Sequence, residues 1–242
     1  MKYSALIFDM DGTLIHNMPI HNQAWHDTLA EAGIQIDLNE FNRATTGKKT
    51  AEILRMMLGA QLSDAEVDYW GERKEALYRE RFSDHREPLQ GLLHLLEQAT
   101  ALALPMAVAT ASPPANISFI LDELDLRRYF KIIVGGADIQ HGKPNPEIFL
   151  KSAQLLGIEP ANCLVFEDAL GGIEAARRAG MDAVMICTTI DAHEVAGMSH
   201  VLRAVPDFTH LDLPTLLGHP AQNRRAGHND ALARPLLDVS PD

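Results

Sequence analysis

Five short, almost uninterrupted apolar runs constrain this 242-residue chain more than any other feature: residues 5–8, 106–109, 132–134, 163–166 and 183–187. A strand that is apolar at nearly every position needs cover on both of its faces, and brief runs of this kind are the mark of buried parallel strands. Between the later runs lie segments of helical period, at 117–126, 146–156 and 172–179. In the first of them Ile117, Ile120, Leu121 and Leu124 recur at helical spacing. Ser112-Pro113-Pro114 supplies a capping hydroxyl and prolines where a helix start tolerates a missing N–H. Alternating strands and helices predict an α/β fold built on a doubly wound parallel sheet.

The spacing breaks once. About 95 residues separate Asp11 from Met106, far more than one crossover helix requires. Helix-period segments at 20–32, 50–58 and 65–81 fill that gap, with no convincing strand among them. The expected organisation is an α/β core formed by residues 1–16 and 85–217, an all-helical inserted domain at 17–84, and a tail at 218–242. Residues 89–101 return as a core helix, and the tail, which loses its periodicity, is expected to be poorly ordered or loosely docked.

Apolar residues make up 46% of the chain, enough for a real core, and the formal charge of −12 argues against a general nucleic-acid or anionic-membrane binder. An anionic substrate stays open, because a few basic residues can line one cleft. Cys163 and Cys187 both fall in apolar runs and are expected as reduced thiols. No leader and no apolar stretch of membrane-spanning length is present, so a cytoplasmic, monomeric enzyme without nucleic-acid or membrane partners is expected.

Chemistry-bearing residues follow four of the apolar runs. The first run ends in Asp9-Met10-Asp11-Gly12-Thr13. Residues i and i+2 of a strand share a side, so two carboxylates would converge and push their proton affinities apart unless a cation intervened. A carboxylate nucleophile beside a proton-donating acid is one use of such a pair; a polar strand end entering an Asp-Gly turn is the plain alternative. Thr110, Ala111 and Ser112 follow the second run and offer a hydroxyl and free amides to a phosphate. Lys143 stands in the proline-braced loop Gly142-Lys143-Pro144-Asn145-Pro146, and Glu167-Asp168 follow the fourth run as candidate ligands of a hard cation such as Mg²⁺. All would meet at the carboxyl edge of a parallel sheet, where open α/β sheets bind ligands.

These four motifs, in this order, resemble those of the haloacid dehalogenase superfamily over roughly residues 1 to 217. The resemblance implies a Rossmann-like core and Asp9 as a nucleophile that becomes an aspartyl-phosphate. It implies Asp11 as acid and then base, with Thr110 and Lys143 holding the phosphoryl oxygens. Mg²⁺ would be bound by Asp9, the main-chain carbonyl of Asp11, and Asp168, with Glu167 as ligand or support. Dehalogenases of the superfamily lack the second aspartate, so Asp11 favours phosphoryl transfer. The insert resembles the helical cap of the β-phosphoglucomutase-like branch, which carries a His and a Trp where this chain has His21 and Trp25. Gly47, Lys48 and Lys49 resemble the cap's substrate-reading loop, and Lys74 a lysine of the cap. Ala111 and Ser112 complete the implied substrate-binding set. Where mutases of the branch place an arginine, this chain has Thr50. The expectation is a Mg²⁺-dependent phosphatase of a small phosphorylated metabolite, a sugar or polyol monophosphate. A phosphomutase, a pyrophosphatase or a non-catalytic module of the same fold are the alternatives.

Overall fold

The computed structural model describes residues 1–45, 47–83 and 86–218. Six strands form one parallel sheet: β1 (Ala5–Phe8), β2 (Met106–Ala109), β3 (Ile132–Val134), β4 (Cys163–Glu167), β5 (Asp182–Ile186) and β6 (Val201–Val205). Their order is β3-β2-β1-β4-β5-β6, so the chain runs outward from β1 first in one direction and then in the other. That reversal leaves a crevice at the carboxyl ends of the central strands. The register sets Phe8 opposite Val108 on one side and opposite Phe166 on the other. The residues that follow these three positions therefore emerge side by side.

Alternation along β1 divides the core in two. Leu6 and Phe8 face a cluster closed by helices α5 (Leu92–Ala101), α6 (Pro114–Leu121) and α9 (Leu213–Gly218). Ala5 and Ile7 face a second cluster under α7 (Glu147–Leu156) and α8 (Leu170–Arg178). Phe8 and Phe166 stack across the strand pair with ring centroids 4.6 Å apart, and Phe130 and Phe208 pack against Phe8.

Four helices intervene between β1 and α5: α1 (Met18–Glu31), α2 (Leu38–Thr45), α3 (Thr50–Leu58) and α4 (Asp64–Phe82). They enclose a small apolar cluster of their own, with Trp25, Leu29, Phe41, Ile53, Leu54 and Val67. The sequence signals of the α4 start are reciprocal: Ser63 and Glu66 each bond the other's backbone N–H.

Four elements differ from the sequence expectation. β6 was not expected, because it is a half-buried edge strand whose Arg203 interrupts the apolar run. The amphipathic α2 was also not expected; only Phe41 and Thr45 are buried, although Asp37 accepts from the amides of Asn39 and Glu40 as a helix-start residue does. The short α9 buries Leu213, Leu216 and Leu217 just where periodicity was taken to end. The helix expected over 117–126 instead begins at Pro114 and stops at Leu121. Thr46, the 84/85 boundary and residues 219–242 of the tail lie outside the described residues. No described helix is long and apolar enough to cross a membrane.

Phe166 lies fully buried against Phe8 and Phe208. Phe166→Ala is expected to cost about 3–5 kcal/mol, read as a lower denaturation midpoint in urea with an unchanged slope.

Candidate active site

Asp9 leaves the end of β1, held there by its amide bonding to the Phe166 carbonyl at 2.9 Å. Glu167 and Asp168 leave the end of the adjacent β4, and Thr110 follows β2 on the other side. Lys143 arrives from the loop between β3 and α7 and is fully buried. Its ammonium donates to Asp9 Oδ1 and to Glu167 Oε1, each at 2.5 Å. The other oxygen of Glu167 accepts the amides of Asp168 and Ala169 at 2.8 Å, so both oxygens of this carboxylate are engaged. Burial lowers the proton affinity of Lys143, but the charges of Asp9 and Glu167 outweigh it and keep the ammonium charged.

Acids outnumber that lysine. Asp9, Glu167 and Asp168 present carboxylate oxygens within 4.8 Å of one another, all buried. Burial pushes Asp9 up to about 8 against the opposing charge of Lys143. Asp168 is likewise raised by burial and by the charges of Glu167 and Asp9. An excess of buried negative charge on hard oxygen donors suits a divalent cation such as Mg²⁺. Thr189 donates to Asp168 Oδ2, and Thr188 Oγ1 donates to the Gly12 carbonyl at 2.5 Å. Gly12 has φ +81°, and a Cβ there would overlap the Asp168 carboxylate, so the Asp-Gly turn is required for the two motifs to meet.

Asp11 turns from this cluster toward the insert. Its carboxylate accepts from Asn17 Nδ2 at 2.6 Å and from Ser112 Oγ at 2.5 Å, with Thr110 Oγ1 and His21 Nε2 each at 3.4 Å. Burial opposes ionisation, yet the bonds from His21, Ser112 and Asn17 hold Asp11 far below the usual carboxylate range. The sequence expectation that both aspartates point at one place needs correcting: they line one cleft, but Asp9 pairs with Lys143, whereas Asp11 is held by Ser112 of the core and by Asn17 and His21 of the insert. The Asp11 carboxylate is not part of the acidic cluster among the described residues.

His21 is buried and stacks on Tyr78 with ring centroids 3.7 Å apart. Its Nδ1 lies 2.7 Å from the Lys74 ammonium, which can only donate; Nδ1 therefore holds the lone pair and Nε2–H points at Asp11. Lys74 is further fixed by Glu75 at 3.0 Å and stands 5.1 Å from the Trp25 ring centre. Glu75 in turn accepts from Asn116 of α6 at 2.7 Å and from Thr50 at 3.1 Å.

An open cleft between the sheet edge and the insert is lined by most of the expected residues, including Asp9, Asp11, His21, Trp25, Gly47, Lys48, Lys74, Thr110, Ala111, Ser112, Lys143, Glu167 and Asp168. Trp25 belongs equally to the insert's apolar cluster. Lys49 is the exception: it does not line the cleft, and its ammonium instead donates to the Ile139 carbonyl at 2.8 Å. Sequence reasoning missed Asn17, Glu75, Asn116, Thr188 and Thr189. Thr188 and Thr189 follow β5 at the same sheet edge that singled out Thr110, so the signal was there.

The family model for haloacid dehalogenase-like hydrolases matches residues 3–180. The chain belongs to this family. Among its relatives, Fructose-1-phosphate phosphatase YqaB of Escherichia coli (strain K12) is 38% identical over 183 residues, covering 76% of this chain and 96% of that protein. Phosphorylated carbohydrates phosphatase of Thermotoga maritima is 30% identical over 180 residues, covering 74% and 83%. The crystal structure of β-phosphoglucomutase from Clostridium difficile superposes with a TM-score of 0.78 at 27% identity, covering 88% and 95%. Haloacid dehalogenase-like hydrolases are thus similar to this chain in sequence over residues 3–180 and in fold.

Because Thr189 orients a carboxylate of the cation cluster, Thr189→Val is expected to weaken Mg²⁺ binding ~10–100-fold, measured by titration calorimetry. A second expectation concerns pH. Asp9 has a folded-state pKa raised from 3.8 to about 8. Its contribution to the stability of the cation-free protein is therefore present at low pH and lost as pH rises through that window. Bound Mg²⁺ neutralises the ionised form, so the rise in Tm on adding Mg²⁺ is expected to grow from about pH 5 to about pH 8.

Proposed function

We propose that this hydrolase is a Mg²⁺-dependent phosphatase of small phosphorylated carbohydrates, acting through a phosphorylated Asp9. The observation that carries this reading is the pairing of Asp9 with the buried Lys143 in the same cleft as an Asp11 steered by Ser112, Asn17 and His21. Phosphoryl transfer is mostly positioning and charge neutralisation, and this cleft concentrates both.

In the proposed reaction an Asp9 carboxylate oxygen forms a bond to phosphorus while the bond to the sugar oxygen breaks. Lys143 holds a phosphoryl oxygen and screens Asp9, and Thr110 and Ser112 border the same space. Asp11 gives its proton to the departing oxygen, then takes one from the water that hydrolyses phospho-Asp9. In the free protein Asp11 is ionised, which suits the second role. An incoming phosphate dianion raises its proton affinity, so Asp11 takes up a proton from solvent as the substrate binds and holds it for the first role. Asp9, Asp168 and the Asp11 carbonyl would hold the cation, whose charge offsets that of phosphate and carboxylate. The insert, entered beside Asp11, serves as a cap whose closure excludes bulk water.

Two of the similar proteins are named as phosphatases of phosphorylated carbohydrates, which supports this class of substrate. The mutase alternative draws on the likeness to β-phosphoglucomutase. It is weakened by Thr50, whose hydroxyl is committed to Glu75 and which carries no charge for a second phosphate. A phosphate-release screen over hexose, pentose and polyol monophosphates, nucleotides and pyrophosphate, with and without Mg²⁺, tests the reading. Release from a sugar or polyol monophosphate is expected, and Asp9→Asn should lower it at least ~10⁴-fold. Isomerised sugar phosphate without free phosphate would instead identify a mutase.

A further inference from the structure

The loop that delivers Lys143 is held from two sides, and only one of the holders belongs to the core. On the core side, Glu147 at the start of α7 accepts the amides of Gln140 and His141 at 2.9–3.0 Å. On the other side the insert reaches across. Lys49 donates its ammonium to the Ile139 carbonyl at 2.8 Å, and Glu52 Oε1 accepts the Gly142 amide at 3.3 Å. The second oxygen of Glu52 accepts the Lys49 amide at 2.7 Å, which closes the start of α3. One carboxylate thus caps a helix of the insert and holds the residue immediately before Lys143.

The two backbones meet at glycines. A Cβ on Gly142 would lie 2.6 Å from Glu52 Oε2, 2.8 Å from the Lys49 nitrogen and 2.9 Å from the Gly47 carbonyl oxygen. A Cβ on Gly47 would lie 2.8 Å from Cβ of Lys143 itself. Contact this close leaves no room for a side chain at either glycine while the insert is seated. A charged donor on a carbonyl and a carboxylate on an amide are stronger than neutral bonds, so the contact is directional as well as close.

We infer that Lys49 and Glu52 are positioning residues: seated on the sheet edge, the insert clamps residues 139–142 and thereby fixes Lys143 against Asp9. The Glu147 clamp persists whatever the insert does, whereas the Lys49–Glu52 clamp exists only while the insert is in place. Lys143 therefore reaches its full alignment only over a covered cleft, which ties the phosphate-holding charge to the exclusion of water. This inference rests on the proposed phosphatase reading for its catalytic consequence, but the clamp itself is measurable without turnover.

The test compares wild type with Lys49→Met, Lys49→Arg and Glu52→Gln. Amide hydrogen exchange is followed over residues 139–145 in the presence of Mg²⁺ and inorganic phosphate. Lys49→Met is expected to speed exchange in this loop about tenfold with Tm unchanged. Lys49→Arg, which keeps the donor, restores protection. Glu52→Gln, which can still cap α3 through its amide oxygen but turns a donor toward Gly142, is expected to expose the loop as Lys49→Met does. In turnover with a phosphorylated carbohydrate, kcat of Lys49→Met falls about tenfold with KM within about twofold. Loop exchange equal to wild type in both Lys49→Met and Glu52→Gln would overturn the inference. So would a raised KM with kcat and exchange unchanged, which would make Lys49 a substrate ligand. If no phosphate is released from any substrate, loop exchange still decides the clamp, and the function alone is rejected.

Discussion

The ammonium of Lys143, shared between Asp9 and Glu167 and sealed from solvent, is the interaction on which the rest of the site depends. A charge in that position costs several kcal/mol to desolvate, and its partners must return this through short, directed bonds. Both partners are rigid because each sits at a strand end: Asp9 is tied by its amide to β4, and Glu167 receives the amides of Asp168 and Ala169. The start of α8 is packed onto the same carboxylate so closely that a Cβ on Gly172 would overlap it. Remove the lysine, and three neighbouring acids lose their one buried counter-charge among the described residues. The sheet order makes the triad possible, since β1 and β4 are adjacent and β3 sends its following loop back over them.

Asp11 performs the complementary task of tying the insert to the core. Its carboxylate is reached by Ser112 from the core and by Asn17 and His21 from the insert. Behind His21 a continuous polar chain runs through Lys74 and Glu75 to Asn116, which is fully buried on α6 and also accepts from Arg79. Each member is satisfied, so burial does not leave a stray donor or acceptor in this chain. The chain fixes more than position. Because Lys74 can only donate, it dictates which nitrogen of His21 carries the hydrogen, and so which kind of bond Asp11 receives.

What could be read from the sequence, and what could not, divides along physical lines. The buried strands were legible because strands covered on both faces need apolar residues throughout, and the acids, hydroxyl and lysine after them marked the functional edge of the sheet. β6 was not legible, since an edge strand needs apolar residues on fewer positions and tolerates Arg203. Asp9, Lys143, Glu167 and Asp168 were expected together and are found together. Lys48 and Lys49 carry the same charge on neighbouring positions, and sequence offered no reason to separate them. The start of α3 separates them in space: Lys48 lines the cleft, while Lys49 turns to the Ile139 carbonyl. Asn17, Glu75 and Thr189 escaped notice because a residue that orients another is defined by its partner, and partners distant in sequence are visible only in the fold.

The charge of the cleft bears on what can enter it. Five carboxylates (Asp9, Asp11, Glu75, Glu167 and Asp168) face three ammonium groups (Lys48, Lys74 and Lys143). Lys143 is already consumed by Asp9 and Glu167, and Lys74 by Glu75. A phosphate dianion arriving here would be repelled unless a further positive charge entered with it or waited for it. The acidic cluster of Asp9, Glu167 and Asp168 gives that charge a place at the end where the phosphate would lie. Toward the insert the lining turns mixed, with Asn22, Trp25, Phe41, Asn42 and Thr45 among its residues. Such a surface favours a body that is uncharged and both apolar and hydrogen-bonding, as the ring or chain of a carbohydrate is. One highly charged end and one amphipathic end, set across a single cleft, are the features the proposed sugar monophosphate has to match.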